Sequence, residues 1–131
     1  NDYLKAPAVK QKRRQTTQAK MAEIFKEILK PYMECIEYKD FNQPVERLFS
    51  VEKFKEYKTK IGVNELMDLD RISKAVDALD HKYIASADTF ILHVKKIAKN
   101  CRLFWGAKHD YTAQAQNLVS RILEDVEKKR S

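Results

Sequence analysis

The chain is poor in residues that interrupt regular backbone, with two glycines and three prolines among 131 residues. A repeated-turn β architecture needs far more of both at its corners, so that class is excluded and long uninterrupted helices are expected. Cysteine is as scarce. Cys35 and Cys101 each sit within an apolar helical pattern, which fits reduced core residues better than a disulfide framework and points to an intracellular compartment. No apolar run approaches the length of a membrane span, and the N-terminus carries charge where a signal peptide needs an apolar stretch, so a soluble, unsecreted chain with no membrane partner is expected. A phosphate-cradling glycine loop and a nucleophile elbow are both missing, and His81, His93 and His109 stand at no metal-ligand spacing. Asp68 and Asp70 read as helix-start charges. The expectation is a non-enzymatic chain that needs neither metal nor cofactor.

What is present suffices for one domain: 44% of the residues are hydrophobic, enough to close a single core. The formal charge of +7 is concentrated at the ends. Residues 1–20 hold Lys5, Lys10, Lys12, Arg13, Arg14 and Lys20 against Asp2, and the tail adds Lys128, Lys129 and Arg130. Taking both ends from the 26 bases and 19 acids leaves 17 against 18, so the body is close to neutral. A basic arm over 1–20 is expected ahead of a helical domain over 21–131. Lys10, Lys12, Arg13 and Arg14 are the candidates for salt-sensitive contact with DNA phosphates, the plainer reading being a solvated flank.

Met21, Ile24, Phe25, Ile28, Tyr32, Cys35 and Ile36 recur at three- and four-residue steps, which predicts a helix over 17–38 with an irregularity at Pro31. Residues 39–66 lose that period and contain Asn42, Pro44, Gly62 and Asn64. They read as a long loop with one helical turn around 51–57. Compact domains rarely keep so long a connection without using it, which makes it the first suspect for function. A second helix starts at Asp68 and carries Leu69, Ile72, Ala75, Val76 and Leu79. After a connector over 80–85, Ser86 caps a third helix near 86–104, whose face is Phe90, Ile91, Val94, Ile97, Ala98, Cys101 and Phe104. Gly106 stops it, and Asp110 is the expected cap of a fourth helix striped by Tyr111, Ala115, Leu118, Val119, Ile122 and Val126. The fold class is all-α: four amphipathic helices with a long first connection folded over one end of the bundle.

Taken in order, Phe41-Asn42-Gln43-Pro44-Val45, Tyr57, Met67-Asp68-Leu69, Ile72, Lys74, Tyr83, Phe90, Val94, Ile97 and Asn100-Cys101-Arg102-Leu103-Phe104 resemble a bromodomain from Met21 to the C-terminus. The His81-Lys82-Tyr83 connector most resembles bromodomains attached to AAA+ ATPases that handle histones, including the fungal ones. The resemblance implies a left-handed four-helix bundle whose loops form a pocket for an acetylated lysine of a histone tail. It also implies a nuclear, chromatin-docking module within a larger multidomain protein, with H3 or H4 tails as partners. Carried over by position, Phe41 matches the pocket floor, Val45 the loop valine, Tyr57 the water-holding tyrosine and Tyr111 the gatekeeper. The asparagine that anchors the acetyl carbonyl is matched by Trp105. Other departures surround it: Lys39 and Asp40 replace an aromatic-proline shelf, Leu66 replaces the proline before Met67, and the loop is longer on both sides of Tyr57.

An acetyl-lysine side chain offers a neutral amide, so its affinity comes from an apolar slot and one hydrogen bond to its carbonyl. Tryptophan brings a single donor on a large rigid ring that must fill part of the slot. Weak or absent dependence on acetylation is therefore expected. Trp105 is open to two readings: a plug at a helix end, or one face of an aromatic surface for a lysine or arginine side chain. The candidate histone-tail residues are Phe41, Val45, Tyr57, Phe104, Trp105 and Tyr111. Acids and bases nearly balance across the loop from Lys39 to Asp70, so strong electrostatic steering of a basic tail is not expected.

Overall fold

The apolar stripes close on one another around Phe90, which is fully buried and stacks on Phe25 with ring centroids 4.1 Å apart. A computed structural model describes the backbone of residues 2–130 and the side chains from Thr17 onward. Its helices are α1 (Asp2–Glu34), α2 (Val51–Ile61), α3 (Leu69–Asp77), α4 (His81–Ile84), α5 (Ala87–Trp105) and α6 (Asp110–Arg130), with no strand among the described residues. The all-α bundle expected from the sequence is what forms. Helix α5 packs along α6, while α1 lies against α3 and α6. Leu29, Leu69, Ile72, Val76, Ile84, Val94, Leu118 and Ile122 fill the space between them.

Several boundaries differ from the sequence reading, each for a local reason. Helix α1 runs back to Asp2, so residues 2–20 continue the first bundle helix, although the side chains of Lys10, Lys12, Arg13 and Arg14 lie outside the described residues. Pro31 falls in its last turn and does not end it; the helix reaches Glu34, and a single 3-10 turn over Ile36–Tyr38 follows. The supposed loop contains an eleven-residue helix, α2, in place of one turn. Ser50 caps its start and Gly62, at φ +98°, closes its end, a left-handed conformation that favours glycine. The connector over 80–85 is also helical, as α4, with Asp80 as its cap. Helix α6 is capped by His109 and not by Asp110: the His109 carbonyl accepts from the Ala113 amide, and its Nδ1 accepts from the Tyr111 amide at 3.0 Å. Gly106, also at φ +98°, ends α5, and its carbonyl accepts from the buried Thr112 hydroxyl at 2.7 Å, which fixes the turn between α5 and α6.

Three polar tethers hold the long connection against the bundle. Asn42 donates to the carbonyls of Tyr32, Met33 and Cys35, covering the open end of α1. Asn100, buried on α5, donates to the Glu65 carbonyl at 2.7 Å. Asp68 accepts from the Val45 amide at 3.0 Å while capping α3 through the Arg71 amide at 2.7 Å. Between the tethers the connection has its own small core of Val45, Tyr57, Ile61 and Leu66, backed by Leu48, Phe49, Phe54 and Phe104.

Candidate functional site

At the end of the bundle where α5 stops, the long connection folds over the α5–α6 turn and encloses a cavity. Asp40, Phe41, Val45, Leu48, Phe49 and Tyr57 come from the connection, Met67 and Asp68 from the start of α3, Ile97, Cys101 and Trp105 from α5, and Tyr111 from α6. Five of the six sequence candidates, Phe41, Val45, Tyr57, Trp105 and Tyr111, line it. Phe104 does not. It faces away, edge-on to Tyr57 at 4.8 Å and to Phe49 at 5.7 Å, and its outer side carries the ammonium groups of Lys53 and Lys60 at 5.4 and 5.6 Å. Phe104 thus supports the cavity wall from behind and does not face a ligand there.

The indole of Trp105 is the hub of that wall. It lies nearly parallel to Phe49, with centroids 6.0 Å apart and planes 17° apart, and it meets Phe104 at 4.9 Å, His109 at 4.8 Å and Tyr111 at 5.4 Å. Such pairings each contribute roughly 0.5 to 1.5 kcal/mol beyond area burial, so the ring is held in place from several sides. Phe49 was not among the sequence candidates. It sits in extended backbone between a 3-10 turn and α2, where no period marks it, yet it also touches Tyr57 at 4.9 Å and joins the two walls. The cavity left under these rings measures about 20 Å³. Space for a water-sized sphere begins at roughly 10–15 Å³, so it holds about one water. That space is small for an acetyl group of three heavy atoms.

The cavity is mostly apolar, with two carboxylates, Asp40 and Asp68, in its lining. Burial, then the neighbouring Cys101 thiol and Asp68 carboxylate, push the Tyr57 hydroxyl well above its ordinary value, so it stays protonated. Burial likewise raises the Asp68 carboxyl, against the pull of the Arg71 and Val45 amides and the Arg71 guanidinium. Arg71, although burial opposes its charge, is held above its ordinary value by Asp68 and by Glu46, which it reaches at 2.8 Å. Burial and then the charge of Asp40 raise the Tyr111 hydroxyl.

Both cysteines are free, as the sequence suggested, but only Cys101 is a core residue; Cys35 is half-buried. Burial pushes the Cys101 thiol up to about 12. Alkylation by iodoacetamide at pH 8 is therefore expected to label one cysteine per native molecule, Cys35, and two after denaturation, which intact-mass measurement reads directly. Rapid native labelling of Cys101 would mean that the cavity is open to solvent.

Among the described residues no cluster of His, Cys, Asp or Glu could hold a metal, and the histidines have other uses. The His81 ring meets Gln18 of α1 at 2.9 Å, His93 stacks on Tyr83 at 3.9 Å while its Nε2 contacts the Lys82 carbonyl, and His109 caps α6. Among the described residues no helix is long and apolar enough to cross a membrane.

A helical bundle whose long first connection folds back over an aromatic-walled pocket at one end defines the class. The family model described as Bromodomain matches residues 20–117, most of the chain, and the protein belongs to that family. Bromodomains are reader modules for acetyl-lysine on histone tails; they are typically nuclear, act in chromatin and are generally not enzymes. No curated protein matches the chain at a significant level.

Proposed function

We propose that this chain is a chromatin-docking module that binds H3 or H4 tails with weak or no dependence on lysine acetylation, because Trp105 stands where the family's anchoring asparagine would be. The assignment of that position rests on the order Asn100-Cys101-Arg102-Leu103-Phe104 immediately before it. The observation that carries the reading is the indole packed on Phe49 with about 20 Å³ beneath it. A carbonyl buried there without a partner costs about 1 to 3 kcal/mol, or roughly tenfold to a hundredfold in affinity. An unmodified lysine has more to gain at the mouth. Asp40 lies in the lining beside Tyr111, and the outer aromatic faces can take an ammonium through cation–π contact of about 0.5 to 2 kcal/mol. Acetylation removes that ammonium.

Calorimetric titration of matched acetylated and unmodified H3 and H4 peptides is expected to give equal affinities within about threefold, with any preference toward the unmodified form. A gain of more than about tenfold on acetylation would overturn the reading. The finer placement, a module attached to a histone-handling AAA+ ATPase in the nucleus, is supported by the His81-Lys82-Tyr83 connector and is part of the same proposal.

A second reading, a domain with an unused pocket that contacts nucleosomal DNA through its basic flanks, is favoured by the helical backbone of α1, which runs back through Lys10, Lys12, Arg13 and Arg14 to Asp2. The opposite flank supports it less, since Lys129 pairs with Glu27 and Arg130 with Asp88 and Glu127. Removing residues 1–16 separates the two: nucleosome binding that disappears while no tail peptide ever binds would favour the flanks.

A further inference from the structure

From Thr89 to His109 the chain contains no acidic residue, yet it carries Lys95, Lys96, Lys99, Arg102 and Lys108. Helical geometry sorts these charges. Lys95, Lys99 and Arg102 follow at steps of four and three, which puts them on one stripe of α5, and all three are exposed. Lys96 borders the stripe and is satisfied by Glu65 at 3.2 Å; for Lys95, Lys99, Arg102 and Lys108 no acidic partner exists among the described residues. Lys60 of α2, reaching over Phe104 near the end of α5, extends the same field sideways. The near-neutral charge of the domain body therefore hides a strongly basic face balanced by acids elsewhere.

We infer that this exposed face of α5 is a second binding surface, distinct from the pocket and from the N-terminal arm, and that its partner is the phosphate backbone of duplex DNA. Long, flexible, unpaired lysines with an arginine among them suit repeated phosphates, which need charge and reach and no shaped cavity. Lys95 and Arg102 are separated by about 10 Å along the helix axis, enough to meet successive phosphates of one strand at roughly 3.4 Å of axial rise each. An acidic peptide fits less well. The two apolar residues on this face, Leu92 and Leu103, are exposed but stand about 16 Å apart along the axis with lysines between them, so they form no contiguous anchor of the kind a peptide interface needs. Because the stripe ends at the turn beside Trp105, a duplex lying on it would pass close to the pocket mouth.

The test uses the whole chain with Lys95→Gln, Lys99→Gln and Arg102→Gln combined, and separately the chain lacking residues 1–16, each titrated into a fluorescent 20-base-pair duplex and into an acidic peptide over a range of salt. All three substituted side chains are exposed, and circular dichroism verifies folding. The triple variant is expected to bind the duplex at least tenfold more weakly at low salt and to flatten the salt slope by about 2 to 3, near 0.9 for each phosphate no longer neutralised, with tail-peptide binding unchanged. Unchanged duplex affinity in the triple variant, with loss only on removal of residues 1–16, would assign DNA binding to the arm and overturn the inference. Loss of acidic-peptide binding with no loss of duplex binding would overturn it equally.

Discussion

Trp105→Asn is expected to create a dependence on acetylation if, as proposed, the indole is what withholds it. The substitution removes the ring that packs on Phe49 and Tyr111 and opens the space beneath it, while placing a short amide where the ligand's carbonyl would lie. The amide supplies the missing donor, which contributes about 1 to 3 kcal/mol when the alternative is a buried unpaired carbonyl. Affinity for acetylated tail peptide is therefore expected to rise at least tenfold over the unmodified one. The same change should destabilise the fold. Loss of a fully buried Trp costs about 3 to 5 kcal/mol, and Trp105 is only partly buried, so about 1 to 3 kcal/mol is expected in denaturant unfolding. Calorimetry on the variant checks the first effect and urea unfolding the second. A folded variant that still ignores acetylation would show that Phe49 and the longer connection, not the indole, close the pocket.

The second large effect is expected at Asp68. Its carboxylate is 2% exposed and holds three things at once: the cap of α3, the Val45 amide, and the Arg71 guanidinium that also reaches Glu46. Asp68→Ala leaves the Val45 and Arg71 amides without partners and Arg71 with only its outer carboxylate. Loss of a cap costs about 1 kcal/mol, and stranding buried donors about 1 to 3 kcal/mol more, so an overall loss near 3 kcal/mol is expected. Asp68→Asn keeps one acceptor oxygen for the cap but turns an NH2 toward the Val45 amide and the Arg71 guanidinium, so it should recover only the cap's share, about 1 kcal/mol. Because Val45 is released, tail binding should weaken along with stability in the alanine variant. Equal stability of wild type and Asp68→Ala would mean that the Asp68 carboxylate does not tether the connection.

The bundle was legible because its helices repeat apolar residues at three and four over long stretches; Phe90, Val94, Ile97 and Cys101 are buried as that period requires. The sequence shows α2 only as one turn. Its buried side chains, Tyr57 and Ile61, do follow a helical step, but four lysines in eleven residues dilute the stripe, and the residues it packs on are its own connection and Phe104, not the bundle core. Pocket residues from the family pattern landed together with the exception of Phe104, because a residue next to the anchor on a helix points about 100° away from it. Phe49 could not be found from periodicity, since extended loop backbone has none to show. The choice of His109 over Asp110 as a cap depends on where Gly106 turns the chain, which is a property of the α5–α6 junction and not of either residue. Charge was the least legible feature. Counting bases and acids by segment gave a neutral body, whereas the helical stripe of α5 gathers one sign on one face.

Trp105 is the only tryptophan in the chain, so its indole reports on the pocket without interference. Following its N–H resonance during titration with paired peptides, acetylated and unmodified, asks directly whether the ring answers to the modification. The expected result is the same shift, saturating at the same concentration within about threefold, for both members of a pair. A response confined to the acetylated peptide, or one that saturates at a concentration tenfold or more lower, would contradict a pocket closed by the indole.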